Sequence, residues 1–493
     1  MSLQRRRFLQ NSAGALAGAA ALGRFDFVQA DEKPQSSSPN EKLGVAVVGV
    51  GGRGGSHLDA YSSRKDTEVL YVCDVDEHTG NGRLDGVAKK QGRKPQYVKD
   101  FRSILDNPSI DIITTATPNH WHSLVAILAL QAGKHVYVEK PVSHNVWEGR
   151  QIVNWARKTG KLCQCGTQSR SSPSLHEAHK WLHDGNLGKI QYAIGTCYKP
   201  RKSIGRLDKP LVIPEYVDYD MWCGPALKVD LYRPKLHYDW HWDWNTGNGD
   251  MGNQGIHQMD IARWFLGENT LSPQVMSIGG RLGYDDAGNT PNTQTVIHMY
   301  EKAPLIFETR GLPESKEAQA TWKPMDEYRG SRIGVIVQCE KGYVVIPSYT
   351  NVSAFDNDGN KIQTWSGGGD HFGNLVDAIR TGRKEDLNGE ILEGHLSSAL
   401  CHTGGLSQQL GRPATAEEAA DAASKNDLFA DSFARMADHL RKNEVDIDGR
   451  PALTLGPWLA MDVAKETFID NADANRMLTR DYRKGYEVPS GEV

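Results

Sequence analysis

Three glycines near the start of the chain have the spacing that holds the pyrophosphate of a dinucleotide. Gly49, Gly51 and Gly54 form the pattern G-x-G-x-x-G, with Gly52 and Arg53 between them. Glycines let the backbone approach the phosphates closely, and the N-terminus of a following helix offers free N–H groups to negative charge. Because an apolar stretch precedes the motif and a helical one follows it, we expect a binding site rather than a bare turn.

A carboxylate follows the next apolar stretch, where it would meet the adenosine ribose. Asp74 comes directly after Val69–Cys73, at the spacing from the glycines that dinucleotide-binding folds use. An acidic residue here accepts hydrogen bonds from the ribose and repels the 2′-phosphate of NADP. We therefore expect NAD as the cofactor, while Arg53, Arg64 and Lys65 leave NADP open. We find no second flavin-binding motif in the sequence.

A short aromatic stretch has the composition of a carbohydrate-binding surface. Residues 236–245 contain Trp240 and Trp242 among histidine, aspartate and tyrosine side chains. Sugar rings stack their C–H faces on aromatic side chains, and their hydroxyls require directed hydrogen bonds. A buried core cluster would have the same composition, and both interpretations stay open. Three basic residues on the preceding loop would bind an anionic group of the substrate or stay solvated: Lys199, Arg201 and Lys202.

The first part of the chain alternates short apolar stretches with helical ones. This alternation predicts βαβ units and a doubly wound parallel sheet, the Rossmann arrangement of an α/β protein. The predicted strands are Leu43–Val48, Glu68–Cys73, Ile110–Thr115, His135–Val138 and Leu162–Cys165. The predicted helices are His57–Ser63, Trp121–Ala132 and Asn145–Thr159.

Beyond residue 168 the pattern changes to longer strands rich in aromatic and β-branched residues. It predicts a second α/β domain with a large, open, mostly antiparallel sheet. The predicted strands are Ile190–Tyr198, Gln274–Ile278, Thr295–Tyr300, Pro304–Thr309, Ile333–Gln338 and Gly342–Ile346. The predicted helices are Ser174–Asp184, His257–Leu266, His371–Thr381 and Ile391–Leu410, followed by an amphipathic, acidic stretch over Ala414–Lys442.

The N-terminus has the pattern of a twin-arginine export signal. Arginines at positions 5–7 precede an apolar run over residues 13–22, and residues 28–30 are typical of a cleavage site. The run is too short to span a bilayer, which needs about 20 residues. We therefore expect a cleaved signal, with an uncleaved anchor as the alternative. The twin-arginine machinery would carry the folded protein, with its cofactor, to the periplasm.

Composition limits the remaining classes of protein. The net charge of −4, without a basic stripe, argues against nucleic-acid binding. The 7 scattered cysteines do not form a disulfide framework. Cys163 and Cys165 would form a metal site or act as small buried hydrophobes, and we expect no metal. The predicted segments are a signal peptide at 1–30, a linker at 31–42, a Rossmann domain at 43–168, a substrate and oligomerisation domain at 169–410, and a helical extension at 411–493.

Two further motifs stand at the ends of predicted strands. Residues 116–122 read A-T-P-N-H-W-H, and Glu139-Lys140-Pro141 follows the next strand. Together with the glycine motif, they resemble the glucose-fructose oxidoreductase and inositol dehydrogenase family, called Gfo/Idh/MocA. The resemblance covers essentially all of the chain after the export signal. It implies an NAD(P)-dependent oxidoreductase whose open C-terminal sheet often pairs subunits, hence a homodimer or homotetramer.

The resemblance also implies which residues surround the cofactor. Lys140 would lie near the nicotinamide and bind the substrate hydroxyl that is oxidised, either as an ammonium donor or as part of a proton relay. Glu139 would shape the turn that carries Lys140. The complete cofactor set is Gly49, Gly51, Gly52, Arg53, Gly54, Asp74, Thr117, Pro118, Asn119, His122, Glu139 and Lys140.

A third motif departs from the pattern of the family. Its members usually show Asp-x-Gly-x-His-x-x-Asp, whereas this chain has Asn253 before Gly255, His257 and Asp260. An amide can position a hydroxyl but cannot accept its proton, so His257 is the predicted general base. Asp260 would orient His257 or serve structure. Asp250 would replace the missing carboxylate only if the register shifted.

These residues predict an NAD(P)-dependent oxidoreductase acting on a secondary hydroxyl of a sugar, cyclitol or glycoside. Lys140, His257 and Asn253 would perform the chemistry, and Lys199, Trp240, Trp242 and Asp260 would contact the substrate. The periplasm maintains no NAD pool, so an exported enzyme must keep its cofactor and recycle it. A redox-neutral glycosidase is one alternative, and a non-catalytic carbohydrate-binding protein is another.

Overall fold

Six parallel strands form the first sheet in the computed structural model, which describes residues 42–491. The strands are β1 (Leu43–Val48), β2 (Thr67–Cys73), β3 (Gln96–Val98), β4 (Ile112–Thr115), β5 (His135–Val138) and β6 (Cys163–Cys165). Their order is β3-β2-β1-β4-β5-β6, the doubly wound arrangement. Ligands of such sheets bind at the carboxyl ends of the strands, where the order reverses between β1 and β4. The Rossmann prediction is confirmed.

Helices cover both faces of this sheet. They are α1 (Gly54–Ser63), α2 (Glu77–Gln91), α3 (Asn119–Gln131) and α4 (Val146–Thr159). The apolar pattern did not predict α2, because only three of its residues, Gly80, Leu84 and Val87, are buried and they form a weak apolar face. Asp76 caps its N-terminus by accepting a hydrogen bond from the N–H of Thr79.

The second domain contains a large mixed sheet. Its main strands are β7 (Ile190–Tyr198), β8 (Gln274–Gly280), β9 (Thr293–Met299), β10 (Leu305–Arg310), β11 (Ile333–Cys339), β12 (Gly342–Ile346), β13 (Asn351–Asp356) and β14 (Lys361–Ser366). All neighbouring pairs among them are antiparallel except β7 with β10. The prediction of a mostly antiparallel sheet is therefore confirmed.

The helices of this region join the two domains. They are α5 (Pro173–His183), α6 (Tyr219–Cys223), α7 (Ile256–Leu266), α8 (His371–Thr381) and α9 (Ile391–Gln409). Leu375 and Val376 of α8 pack in the core of the first sheet, with Val45 and Ile112. The α9 helix contacts α4 of the first domain as well as α7 and β8 of the second. The Rossmann core therefore includes side chains from far beyond residue 168.

The last eighty residues are not only helical, which corrects the predicted helical extension. They contain β15 (Arg412–Ala414), α10 (Ala416–Ala423), α11 (Asp427–Lys442), β16 (Leu453–Leu455), β17 (Leu459–Asp462), β18 (Thr467–Phe468) and α12 (Ala472–Arg476). Of the strands, β15 to β17 extend the edge of the large sheet beside β8. Phe429 and Phe433 of α11 pack on Ile297 and Ile306. The extension thus covers part of the sheet face that the sequence led us to expect open.

The final residues return to the first domain. Tyr486 packs edge-on against Trp121, with ring centroids 5.6 Å apart. Trp155 donates a hydrogen bond to the carbonyl of Pro489. No helix within residues 42–491 is long and apolar enough to cross a membrane. The predicted signal at 1–30 lies outside the described residues.

Candidate active site

A large cleft, with a volume of about 660 Å³, lies at the carboxyl ends of β1, β4 and β5. Its other walls come from the connection between β7 and α7 and from the turn after β12. We call the connection, residues 199–250, the cleft loop. Eleven of the twelve predicted cofactor residues line the cleft: Gly49, Gly51, Gly52, Arg53, Asp74, Thr117, Pro118, Asn119, His122, Glu139 and Lys140.

The glycine loop has the shape that a pyrophosphate requires. A Cβ atom built on Gly51 or Gly52 meets nothing within 4 Å, so both face open space. Gly49 has a φ of 78°, in the left-handed region that favours glycine. Gly54 does not line the cleft; an added Cβ there would lie in contact with the carbonyl oxygen of Gly49. The loop therefore leaves room for phosphates beside the N-terminus of α1, the end of a helix that favours negative charge.

Backbone groups hold the carboxylate of Asp74, the predicted ribose-binding residue, in the cleft. Its two carboxylate oxygens accept hydrogen bonds from the N–H of Val50 at 2.8 Å and of Asp76 at 3.0 Å. A carboxylate has further acceptor capacity, so ribose hydroxyls can still bind. Arg83 of α2 donates from Nε to the carbonyl of Val50 at 2.9 Å. Arg83 belongs to no motif, and its helix α2 has too few buried apolar residues to be predicted from the sequence.

Glu139 is the centre of a buried ionic cluster. Its Oε1 lies 2.8 Å from Nε of Arg53 and 3.2 Å from Nε2 of His57. Burial raises the pKa of Glu139, but the hydrogen bond from His57 and the charge of Arg53 outweigh it and hold this pKa well below its usual range. The ionised carboxylate therefore anchors the glycine loop to the strand that carries Lys140.

Lys140 contacts the motif at residues 253–260 directly. Its ammonium group donates a hydrogen bond to the backbone carbonyl of Asn253 at 2.5 Å. Asn253 belongs to a π-helical turn, Met251–Gly255, which precedes α7. Such turns are common at functional sites. Burial lowers the pKa of Lys140, which favours its use in proton transfer near neutral pH.

His257 lines the same cleft from the first turn of α7. Its ring lies 4.7 Å from the ring of Tyr349. Burial, followed by the positive charge of Lys140, lowers the pKa of His257 well below 6.5. The imidazole is therefore neutral at neutral pH, the state in which it can accept a proton.

The two carboxylates near His257 have other partners. Asp260 pairs with Nη2 of Arg170 at 2.8 Å and accepts a hydrogen bond from Ser397 at 2.6 Å. Asp250 accepts a hydrogen bond from Nε of Arg201 at 2.8 Å. Neither carboxylate has a hydrogen bond to His257. The structure thus favours the structural alternative for Asp260, and Asp250 does not replace the missing carboxylate.

Of the predicted substrate residues, one lines the cleft and three do not. Trp240 lines the cleft. Trp242 is buried, with the guanidinium of Arg201 4.8 Å from its ring centroid. Lys199 donates a hydrogen bond to the side-chain oxygen of Gln254 at 3.3 Å. Unlike Trp240, the residues Trp242, Lys199 and Asp260 do not line the cleft in this structure.

His122 connects the two motif-bearing turns. Its Nδ1 lies 2.6 Å from the carbonyl of Pro141, and its Nε2 lies 2.8 Å from the carbonyl of Thr117. Burial lowers the pKa of His122, so the ring is neutral and can donate to only one carbonyl at a time. His122 therefore positions the turn after β5, which carries Lys140.

Tyr349 is a cleft residue without any sequence motif. It lies on the turn between β12 and β13, and its hydroxyl accepts a hydrogen bond from Nε2 of Gln254 at 3.2 Å. Nothing in the local pattern distinguishes it from an ordinary turn tyrosine. Only the pairing of the large sheet brings it to His257.

The cleft loop is fastened to the first domain on the adenosine side. Glu77 donates its N–H to the carbonyl of Tyr216 at 3.0 Å, and Nε2 of His237 lies 2.9 Å from the carboxylate of Asp76. The rings of His78 and Tyr216 stack with centroids 3.8 Å apart. These contacts place a wall across the groove beside Asp74.

The end of the chain holds the cleft loop from outside. Arg483 donates to the backbone carbonyl of Asp220 at 2.9 Å. Arg480 donates to the side-chain oxygen of Asn245 at 2.7 Å. The loop is therefore fixed on two sides, by the first domain and by residues 480–483.

The residues described here contain no group of three histidine, cysteine, aspartate or glutamate side chains that could hold a metal ion. Cys163 and Cys165 are buried in β6 as free thiols. Desolvation raises the pKa of both thiols above the ordinary value. Packing is thus the role that their surroundings support.

Curated proteins show similarity over parts of their length. Levoglucosan dehydrogenase of Pseudarthrobacter phenanthrenivorans is 25% identical over 242 residues, covering 48% of this chain and 54% of that protein. A glycosyl hydrolase family 109 protein of Shewanella baltica is 30% identical over 178 residues, covering 33% and 39%. An alpha-N-acetylgalactosaminidase of Shewanella oneidensis is 28% identical over 177 residues. The chain spans about half the length, or less, of these relatives.

Solved structures share the fold over a longer stretch. The WlbA dehydrogenase of Bordetella pertussis, in complex with NADH and UDP-GlcNAcA, has a TM-score of 0.53 and 19% identity, covering 74% of this chain and 96% of that one. A levoglucosan dehydrogenase in complex with NADH and levoglucosan has a TM-score of 0.53 and 18% identity, covering 73% and 95%. At this identity, the likeness concerns the fold.

Two family models match the chain. Residues 43–167 match the oxidoreductase family with the NAD-binding Rossmann fold, and residues 190–318 match its C-terminal alpha/beta domain. Together the matches cover about half of the chain, including the glycine loop, Lys140 and His257. The chain therefore belongs to the Gfo/Idh/MocA family of NAD-binding oxidoreductases.

Proposed function

We propose that this protein is an NAD-dependent oxidoreductase acting on a secondary hydroxyl of a sugar, cyclitol or glycoside. One observation carries the proposal: a single cleft joins the glycine loop and Asp74 at one end to Lys140, His257 and Trp240 at the other. A dinucleotide placed along the groove would bring its nicotinamide to the polar end. NADP is the weaker alternative, because Asp74 occupies the ribose position.

At the polar end of the cleft, each of the lining residues has a separate role in the proposed reaction. Bound NAD would supply the hydride acceptor. Lys140 donates a hydrogen bond to the substrate oxygen and favours its negative charge. His257 accepts the hydroxyl proton, and the carbonyl of Asn253 holds the ammonium of Lys140 in place. Trp240 offers an apolar surface to the sugar ring.

We propose that the cofactor stays bound through many turnovers. The fastening of the cleft loop at Asp76 and Tyr216, and its support by Arg480 and Arg483, would slow release of a dinucleotide. Slow release suits a protein exported already folded by the twin-arginine machinery to the periplasm. No NAD pool exists there, so a second sugar would reoxidise the cofactor in place.

A redox-neutral glycosidase is the second candidate, and the glycosyl hydrolase family 109 relatives favour it. In that cycle, bound NAD would take a hydride from a hydroxyl-bearing carbon, and the resulting ketone would acidify the neighbouring C–H. Loss of that proton would eliminate the glycosidic substituent, water would add to the double bond, and return of the hydride would restore the hydroxyl. The same cleft residues would serve both candidates. They differ in whether a glycoside is cleaved without net oxidation.

We also propose a homodimer or homotetramer. Part of the large sheet's outer face is covered by α10 and α11 of the same chain. The strand β14 is mostly exposed, so pairing would use the edge formed by β13 and β14 instead. Size-exclusion chromatography with light scattering would give the mass of the assembly, which should be two or four times that of one chain.

The test is a single-turnover experiment with purified protein and a panel of sugars and glycosides. A dehydrogenase gives reduced nicotinamide absorbance with one sugar, and a second sugar reverses it. A glycosidase releases the leaving group with only transient absorbance. Absence of both signals, in protein that binds sugar, would support a non-catalytic carbohydrate-binding protein instead.

A further inference from the structure

Four histidines line the cleft, and His241 is one that the proposed proton transfer does not use. His241 lines the cleft together with Lys140 and His257, and it belongs to the short 3₁₀ turn Asp239–Trp242. Its ring stacks on Trp240 with centroids 3.6 Å apart and an interplanar angle of 19°. No role in the proposed proton transfer requires it.

The backbone fixes this ring firmly. Tyr238, before the turn, has a φ of 66°, in the left-handed region where non-glycine residues are uncommon. Thr246 donates its hydroxyl to the carbonyl of Trp240 at 2.9 Å. A Cβ on Gly247 would lie 2.6 Å from the carbonyl oxygen of His241, so the returning chain packs closely against the turn. Strained backbone of this kind persists where surrounding contacts determine it, and it is frequent at functional sites.

The hydrogen bonds determine which ring nitrogen carries the proton. Nδ1 of His241 lies 2.5 Å from the carbonyl oxygen of Tyr238. A carbonyl can only accept, so Nδ1 is the protonated nitrogen of the neutral ring. Nε2 has no hydrogen-bond partner within residues 42–491 and is not enclosed by protein, which leaves a free acceptor. By contrast, no hydrogen bond in the described chain fixes the tautomer of His257.

Burial and nearby positive charges keep His241 neutral. Burial, and then the charges of Lys140 and Arg201, lower the pKa of His241 to about 3, against the opposing hydrogen bond to Tyr238. Within the described part of the chain, the carboxylate that acts on Lys140 is that of Glu139, which is already bound by Arg53 and His57. A polyhydroxylated substrate needs acceptors as well as donors, and Nε2 of His241 is an uncharged one.

We propose that His241 binds substrate, with Nε2 accepting a hydrogen bond from a sugar hydroxyl next to the ring surface of Trp240. The inference rests on the proposed carbohydrate-oxidising function and deepens it. His241 would select substrates that carry a hydroxyl at that position, because a deoxy analogue would leave the acceptor unpaired.

Two amide substitutions separate the two ring nitrogens. In His241→Asn the amide can replace Nδ1 and keep the bond to Tyr238, but the acceptor at the position of Nε2 is lost. In His241→Gln the amide oxygen can replace Nε2 as the acceptor. His183, which contacts the carbonyl of Phe265 outside the cleft, gives a control in His183→Asn.

Binding of levoglucosan and of methyl N-acetyl-α-galactosaminide to the cofactor-loaded proteins is measured by calorimetry. We expect His241→Asn to weaken binding of the probe that wild type binds by about tenfold, the worth of one hydrogen bond. His241→Gln should lose less than about threefold, and His183→Asn should match wild type. Equal binding by wild type and His241→Asn, or an equal loss in both His241 variants, would overturn the inference.

Nitrogen NMR of histidine-labelled protein provides an independent readout. The signals that wild type shows and His241→Asn lacks belong to His241. At pH 7 they should report a protonated Nδ1 and an unprotonated Nε2, and the chemical shift of Nε2 should change when the sugar that wild type binds is added. The opposite tautomer would overturn the inference. Wild type that binds no sugar of the wider panel would contradict the proposed function itself, and this inference would fall with it.

Discussion

Lys140 donates its hydrogen bond to a backbone oxygen of the π-helical turn and not to a side chain. The presence of asparagine in place of aspartate at position 253 therefore does not remove this contact. The ammonium of Lys140 is bound by the carbonyl of Asn253, a group that any residue at this position would supply. The departure from aspartate therefore removes a charge from the cleft without releasing Lys140. In the proposed mechanism the hydroxyl proton then passes to His257, which lines the cleft together with Lys140.

Replacing Lys140 tests its part in the chemistry. We expect Lys140→Met to lower the turnover number by about 10²–10⁴-fold, the usual contribution of a positioned proton-transfer group. Cofactor content should stay near that of wild type, since the glycine loop is untouched. Lys180→Met, at an exposed lysine paired with Asp184, is the matched control. Turnover by Lys140→Met within a few-fold of wild type would contradict the role.

The pH dependence tests the state of His257. Because its pKa is lowered, His257 remains an unprotonated base as pH falls through 6.5, and it is lost only at more acidic pH. We therefore expect the acidic limb of kcat/KM to lie below pH 6.5 and to disappear in His257→Gln. A limb at or above pH 6.5 in wild type would show that another group titrates.

The sequence placed the cofactor residues better than the substrate residues. The glycines, Asp74 and Lys140 follow strands, and parallel strands end at one edge of a sheet, so local pattern was sufficient. The surroundings of Asp260 and Trp242 depend instead on Arg170 and Arg201, which lie far from them in the sequence. No local pattern reveals such partners.

The glycine loop permits a paired test at the level of the element. In Gly52→Ala the new Cβ enters open space where phosphate would lie, so we expect unchanged stability but at least about tenfold weaker NAD binding, equivalent to ~1.4 kcal/mol. In Gly54→Ala the Cβ collides with the carbonyl oxygen of Gly49, and we expect roughly 1–3 kcal/mol of destabilisation.

Thermal unfolding and NAD titration of both variants provide the measurements. Normal NAD affinity in Gly52→Ala would mean that the pyrophosphate does not pass this loop. A Gly54→Ala protein as stable as wild type would mean that the close approach of α1 to β1 is not required.

Elements with a weak apolar face were the ones that sequence reasoning missed. Helix α2 buries only Gly80, Leu84 and Val87, and its start is set by the cap at Asp76. Strand β14 is mostly exposed and has little alternation to detect. Long buried elements such as β7 and α7 were predicted within one or two residues.

At the scale of the whole molecule, the C-terminal extension ties the domains together. Glu466 pairs with Nη2 of Arg150 on α4 at 2.5 Å and with Nε2 of His395 on α9 at 3.0 Å. The extension also covers the sheet with α11 and supports the cleft loop through Arg483. It therefore belongs to the framework of the cleft.

The Glu466 pairs predict a pH-dependent stability. Burial raises the pKa of Glu466, but His395 and Arg150 outweigh it and lower this pKa from 4.5 to about 2. The resulting stabilisation is present above pH 4.5 and is lost as pH falls towards 2. We expect Glu466→Gln to lower the free energy of unfolding by ~1–3 kcal/mol at pH 7 and by much less near pH 2. Chemical denaturation at several pH values checks this, and a pH-independent difference would contradict it.

The proposed function depends on a protein that binds NAD and retains it in the cleft. The most direct measurement is to purify the protein, denature it, and identify and quantify the released nucleotide by absorbance and mass spectrometry. We expect close to one NAD or NADH per chain, still present after extensive dialysis. Protein that releases no nicotinamide nucleotide, and binds added NAD only weakly, would contradict it.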